Sequence, residues 1–113
     1  MRPISPKIKK KLERMDHMKR CAWCNQPSGL EWHHALQYSN KQIDEWYAII
    51  ALCTKCHRGE FGTLRREIKE YCELLAITRG VKELPVKYAK RDWLWEKHWL
   101  ENRIKNYVNE RKI

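Results

Sequence analysis

The sequence contains no apolar run approaching the length of a membrane-spanning helix. It lacks a lipidation motif, and residues 1–20 lack the apolar segment of a signal peptide. We therefore expect a cytoplasmic protein with no membrane partner.

Linkers and repeats are also missing. No Gly/Ser-rich or Pro-rich stretch divides the 113 residues, and no internal repeat of useful length is visible. This length suits one domain. We therefore predict a single domain over 1–113, with a basic N-terminal helix (1–20), a cysteine-rich core (21–60) and a helical C-terminal part (61–113).

Acidic residues are the minority among the charged side chains. The 14 Asp and Glu are outnumbered by 24 Lys and Arg, which gives a formal charge of +10. Such an excess favours polyanionic partners, above all nucleic acid. Seven basic residues near the cysteine core are candidates for phosphate contacts, although a solvated charged face is the alternative: Lys10, Lys11, Lys19, Arg20, Arg58, Arg65 and Arg66.

Aliphatic residues are modest in number, so the six Trp and five Tyr must supply much of the core. Trp93, Trp95 and Trp99 are also candidates for stacking on unpaired bases. We expect at least Trp93 and Trp99 to pack inward. A metal would help to stabilise so thin a core.

Hydrophobic periodicity predicts helices towards both ends of the chain. An amphipathic basic helix is expected over 6–19, a second helix from Thr63 to near Gly80, and a long one over 87–111.

The middle of the chain has mixed patterns. Strand-like segments lie at 30–36 and 48–52. Between them, Ser39 and Gln42 match a capping box and predict a short helix over roughly 40–47.

Four of the five cysteines form two Cys-x-x-Cys pairs, Cys21 with Cys24 and Cys53 with Cys56. A reducing compartment leaves such thiols free for metals, and two pairs complete a tetrahedral zinc shell. The alternatives are that one pair is coincidental, or that the neighbouring histidine replaces the last cysteine. The fifth, Cys72, is expected to be a small core residue.

The segment from Cys21 to His57 reads Cys-Ala-Trp-Cys, then Glu-Trp-His-His-Ala-Leu, then Leu-Cys-Thr-Lys-Cys-His. This order resembles the HNH nucleases of the ββα-metal type, in the branch that carries a zinc bound by four cysteines. The resemblance implies a small α+β fold, mostly helical overall, with a treble-clef-like zinc core and flanking helices. More loosely, the segment is similar to phage recombination-associated HNH proteins, which implies a location in a bacterial cytoplasm.

The resemblance also implies functional roles. His33 and His57 would bind a divalent cation, Mg or Mn, and His34 would be the general base of an endonuclease that hydrolyses DNA. Adjacent strand residues face opposite ways, so we expect a turn or bulge at the His33–His34 doublet. Otherwise these histidines are strand residues, and His57 supports the zinc ligands.

One position departs from the family pattern. Ala48 stands where the family usually has Asn, so Asp44, Glu45 or a backbone contact must substitute, or activity is weakened or lost. The alternatives are a non-catalytic zinc-containing module that binds nucleic acid, or a phage protein that binds a host protein. A homodimer through the terminal helix would permit double-strand cuts.

Overall fold

Short strands alternate with helices of very different length in this computed structural model. The structure describes residues 4–59, 62 and 64–111, and it describes side chains up to Lys105. Its five α-helices are α1 (Pro6–Glu13), α2 (Thr54–Arg58), α3 (Arg66–Arg79), α4 (Leu84–Lys87) and α5 (Trp93–Arg111). Two small antiparallel sheets pair β1 (Leu30–His34) with β4 (Ile49–Cys53), and β2 (Gln37–Tyr38) with β3 (Lys41–Gln42). Within the described residues, none of the helices combines the length and apolar composition needed to cross a bilayer.

Strand β4 lies at the centre of the core, and every one of its residues is buried. From Ile49 to Leu52 its side chains alternate between two apolar clusters, as the two-residue period of a strand requires. Ile49 and Ala51 pack with the N-terminal segment, where Leu12 and Met18 are buried. Ile50, Leu52 and Cys53 belong to the larger cluster that contains residues of α3 and α5.

The predicted N-terminal helix over 6–19 is too long. Helix α1 ends at Glu13, and Asp16–Met18 form a separate 3-10 turn. Met15 between them has extended backbone angles, which interrupts the helical hydrogen bonds.

The helix predicted over 40–47 is wrong. Ser39 and Asn40 both have positive φ, at 51° and 65°, and they form the two-residue tip between β2 and β3. Two consecutive positive φ angles are typical of a type I′ hairpin turn, whose twist matches that of the flanking strands. The residues that match a capping box therefore form a hairpin turn. In the predicted range, the helical structure is limited to the 3-10 turn that begins at Trp46.

The C-terminal half follows the prediction more closely. Helix α3 ends before Gly80 and Cys72 is fully buried, as predicted, whereas the predicted cap Thr63 lies outside the described residues. The terminal helix begins at Trp93 instead of residue 87, because α4 and an irregular segment come first.

The aromatic side chains of α5 divide between core and surface. Trp93 is 3% exposed and packs with Leu100 and Ile104, as predicted. Trp99 is 44% exposed and Trp95 is 60% exposed, so the expectation that Trp99 packs inward is wrong. The sequence also places Tyr107 and Val108 at helical spacing from these residues, but their side chains lie outside the described residues.

Gly80 allows the end of α3 to approach the core. A Cβ atom at this position would lie 2.3 Å from Cδ1 of the fully buried Tyr47. We expect Gly80→Ala to lower the free energy of unfolding by about 1–3 kcal/mol, as measured by urea denaturation, because the ring cannot move without repacking. Thr78→Ala, at an exposed position of the same helix, is the control and should change it by less than about 0.5 kcal/mol. Equal stabilities for both variants would contradict the close contact.

Candidate metal centre and histidine groove

The two cysteine pairs converge on one point. The four sulfur atoms all lie within 4.8 Å of one another, and they belong to Cys21, Cys24, Cys53 and Cys56. The Cys24 and Cys53 sulfurs are 3.6 Å apart. Zinc–sulfur bonds of about 2.3 Å in a tetrahedron place the sulfurs about 3.8 Å from one another. The four thiols are therefore close enough to hold a metal ion such as zinc.

The backbone around Cys21 favours the thiolate form of this residue, whereas burial raises the pKa of Cys24. Cys21 is buried, which raises its pKa, but hydrogen bonds from backbone N–H groups outweigh this effect and lower the pKa to about 7. One of these donors is the N–H of Cys24, at 3.5 Å from the Cys21 sulfur. Because the thiolate is the form that binds metals, this turn favours a cationic ligand.

A pair of histidines lies beside the cysteine cluster. His33 comes from β1 and His57 from α2, directly after Cys56, and their ring centroids are 5.2 Å apart. The Nε2 atom of His33 is buried without a hydrogen-bond partner. Burial and, secondarily, the neighbouring His57 lower the pKa of His33 to about 4, so this ring is neutral at pH 7. Neutral imidazole is the form that binds divalent metals.

Glu31 fixes the orientation of His57. Its Oε1 atom lies 2.9 Å from Nδ1 of His57, which leaves Nε2 as the histidine nitrogen for a ligand. The arrangement matches the carboxylate–histidine pairs that orient metal ligands in proteins. Hydrogen bonds from His57 and then Arg58 hold the pKa of Glu31 below its usual range.

Sequence reasoning missed Glu31 as a functional residue. It stands two positions before His33 on β1, and residues two apart on a strand share a face. This alternation was the signal that could have found it.

His34 has different surroundings from His33. Its side chain is 2% exposed, and its Nε2 lies 3.5 Å from Oδ1 of Asp44. Strand pairing is regular through His34, which stands opposite Ile49, and the next N–H, that of Ala35, donates to Ala48. The turn or bulge expected at the doublet is therefore wrong, because the ladder continues past it.

Asp44 is the residue that approaches His34 in this structure. Of the substitutes considered for the family Asn, Glu45 instead contacts Lys87 on α4, at 3.2 Å. Ala48, which stands at the Asn position, is fully buried.

An open groove of about 740 Å³ runs along this part of the molecule. The groove is lined by His33, His34 and His57. Lys69 and Glu73 from α3, and Arg91 from the segment before α5, complete its charged lining. Burial raises the pKa of Glu73. The described groove thus combines imidazoles, one carboxylate and two cations, a set suited to a phosphate and a metal ion.

The basic residues predicted to bind nucleic acid lie on exposed surfaces outside the described lining of this groove. Four of them pair with carboxylates: Lys19 with Asp16, Arg58 with Glu31, Arg65 with Glu67, and Arg66 with Glu70. Lys11 lies over the Trp46 ring, Arg20 donates to the Asn25 carbonyl, and Lys10 is exposed on α1. The cations at the groove, Lys69 and Arg91, were missed because their segments reach the histidines only through tertiary packing.

No protein-family profile, no curated protein and no solved structure matches this chain. Its function must therefore be inferred from the site itself.

The burial of His33 has a consequence for stability. The pKa in the folded chain, about 4, lies below the unfolded value of 6.5, so the unfolded chain takes up the proton first as the pH falls. The stabilisation from neutral His33 is thus complete above pH 6.5 and decreases towards pH 4. Between pH 6.5 and pH 4, the free energy of unfolding should fall less in His33→Gln than in the unaltered chain, by on the order of 2–3 kcal/mol. Urea unfolding with zinc present measures this difference. The exposed His98, changed to Gln, is the control, and identical pH profiles for both variants would contradict the burial.

Proposed function

We propose that this protein is a metal-dependent endonuclease of the HNH type that hydrolyses phosphodiester bonds of DNA. In this proposal β1, β4 and α2 form a ββα-metal unit with a treble-clef-like core, in which the four cysteines bind one structural zinc. The single observation that carries the proposal is the unpartnered Nε2 of His33 beside His57, whose other nitrogen is held by Glu31.

His33 and His57 would hold a divalent cation, Mg or Mn. When bound, this ion supplies charge stabilisation at a phosphoryl oxygen and at the leaving oxygen. The chain supplies the remaining functions. Glu31 keeps the proton of His57 on Nδ1, while Lys69 and Arg91 add positive charge where a phosphate would enter the groove.

His34 is the proposed general base. An imidazole can accept a proton from water, and the nearby Asp44 carboxylate would stabilise the resulting imidazolium. Asp44 thereby takes over part of the role of the absent Asn.

A second candidate function is nucleic-acid binding without hydrolysis. The observation that favours it is the 2% exposure of the His34 side chain, because a general base must reach water. The basic charge and the cysteine cluster suit this function equally, and they also suit a protein that docks on an acidic host protein.

Plasmid cleavage separates these functions. Supercoiled DNA is incubated with the zinc-loaded protein plus Mg, Mn or excess EDTA, and the products are separated on agarose. The proposal predicts nicked or linear DNA with Mg or Mn and none with EDTA. Salt-sensitive retardation of the plasmid without cleavage under any metal would instead favour the binding module, and neither effect would favour a protein partner.

A further inference from the structure

Helix α5 carries a row of two exposed indoles and one half-buried arginine, which we call the indole ladder: Trp95, Trp99 and Arg103. These residues are four positions apart, so they follow one another along one face of the helix. The two indole rings are nearly parallel, at 16°, with centroids 6.3 Å apart. The guanidinium carbon of Arg103 lies 4.7 Å from the centroid of the Trp99 ring.

The indole ladder is not needed for the core. Trp93, Leu100 and Ile104 form the buried face of α5, each at 4% exposure or less, whereas Trp95 and Trp99 are 60% and 44% exposed. The neighbouring Leu94 is 62% exposed as well. A cluster of large apolar side chains in water typically marks a binding surface.

The geometry of the rings leaves room for a planar ligand. A centroid distance of 6.3 Å lies near the long end of the range of about 4.5–7 Å for aromatic pairs. Trp95 and Trp99 are 60% and 44% exposed, so part of each ring remains available for stacking although Arg103 lies over Trp99.

Arginine side chains lie beside the rings. Arg103 makes two hydrogen bonds to the Glu70 carboxylate on α3, at 2.7 and 2.8 Å, and Arg66 approaches the same carboxylate at 3.9 Å. The side chain of Arg66 is 74% exposed, so its guanidinium is accessible to a phosphate.

We propose that the indole ladder binds single-stranded nucleic acid, with unpaired bases stacked on Trp95 and Trp99 and a phosphate beside Arg66. Aromatic platforms flanked by cations bind single strands with little sequence preference, because every base has a π-face. The alternative occupant, a second copy of this chain, would carry the same charge of +10 and be repelled, whereas a polyanion is attracted.

The start of α5 lies close to the histidine groove. Arg91 lines the groove, and its guanidinium covers Trp93 and pairs with Glu96 in the first turn of α5. Trp95, the first ring of the indole ladder, belongs to the same turn. This binding does not require hydrolysis, so it can be tested in EDTA without relying on the proposed nuclease activity.

The test is fluorescence anisotropy of labelled oligo-dT and oligo-U of about 20 nucleotides, titrated with zinc-loaded protein in a brief EDTA incubation. We expect Trp95→Ala and Trp99→Ala each to weaken binding about tenfold or more, since stacking contributes about 1–3 kcal/mol per base. Trp95→Phe should retain most of the affinity because it keeps an aromatic face. Val86→Ala, at an 80% exposed apolar residue outside α5, is the matched control and should stay within about twofold.

Further measurements distinguish base stacking from simple charge attraction, misfolding and dimer formation. In a plot of the logarithm of the binding constant against the logarithm of the salt concentration, Arg66→Ala should reduce the slope by about one. Trp95→Ala should leave this slope unchanged. Circular dichroism should show the same helix content for all variants. Unchanged affinity in both Trp→Ala variants would overturn the proposal, as would a concentration-dependent dimer in sedimentation velocity that Trp95→Ala abolishes. Preference for oligo-dT or oligo-U would identify the strand as DNA or RNA.

Discussion

Replacing Cys53 by serine is expected to leave the chain unfolded and without bound zinc. Cys53 ends the buried strand β4 and contributes one of the four clustered sulfurs. In the proposed zinc site, serine would remove one of the four sulfur ligands and leave a buried hydroxyl in its place. Circular dichroism and metal analysis of the purified protein measure both effects.

The magnitude follows from the size of the domain. Structural zinc contributes about 10–16 kcal/mol to the folding of small zinc domains, whereas the whole stability of a typical domain is about 5–15 kcal/mol. Loss of the metal therefore exceeds the margin that the thin apolar core can supply. We expect excess chelator at elevated temperature to have the same effect on the unaltered chain.

Cys72→Ser is the matched control for this prediction. Cys72 is also a fully buried thiol, but it lies on α3 outside the cluster, so the same chemical change should cost only about 1–3 kcal/mol and retain one zinc per chain. A Cys53→Ser protein that unfolds as cooperatively and as late as Cys72→Ser would contradict the proposed zinc site. So would a folded protein free of zinc.

Replacing His57 by alanine is expected to lower the rate of metal-dependent plasmid cleavage at least about 100-fold, as expected when a group essential to metal-assisted hydrolysis is lost. The substitution removes one of the two imidazoles that lie 5.2 Å apart in the groove, while Cys56 and the cysteine cluster remain. His33→Ala should have a similar effect for the same reason. Zinc content should remain at one per chain in both variants, which separates this loss from unfolding.

Glu31→Gln tests how His57 is oriented. Substitutions of such supporting carboxylates typically cost about 10–100-fold in metal affinity or activity, and we expect a loss of this size in the plasmid cleavage by Glu31→Gln. Part of the cleavage rate should be recovered at high Mn concentration, because the metal ligands themselves remain. His98→Ala is the control, since the His98 side chain is 69% exposed on α5, and it should cleave at the normal rate. Cleavage that survives in His33→Ala and His57→Ala would show that another site, or a contaminating enzyme, is responsible.

The sequence predicted those features that depend on local spacing. The two Cys-x-x-Cys turns are brought together around one point, and the apolar residues of 48–52 form nearly the whole of β4. The end of α3 at Gly80 was equally predictable, because glycine there both ends the helix and avoids Tyr47.

Features that depend on tertiary partners could not be predicted in the same way. Ser39 and Gln42 match a helix cap by residue type, but pairing between β2 and β3 selects the hairpin. Trp99 was expected to pack inward beside Leu100 on α5, but only Leu100 is buried in the core cluster that contains residues of α3 and α5. The cations of the groove, Lys69 and Arg91, come from segments that are distant in sequence from His33.

The histidine doublet, His33 and His34, shows both what the sequence could predict and what it could not. The regular strand pairing at His34 places its ring beside Asp44, and no local pattern indicates that the pairing continues to Ala35. The proposed roles of these residues come from the resemblance, and the structure places Glu31 beside His57 and Asp44 beside His34.

The most direct test of the proposed metal groove is anomalous X-ray diffraction from crystals soaked in MnCl2, with data collected at the Mn and Zn absorption edges. We expect a zinc peak inside the four cysteine sulfurs and a separate manganese peak coordinated by Nε2 of His33 and Nε2 of His57. A zinc peak alone, under Mn concentrations that support plasmid cleavage, would contradict the proposed groove, as would manganese bound away from these two histidines.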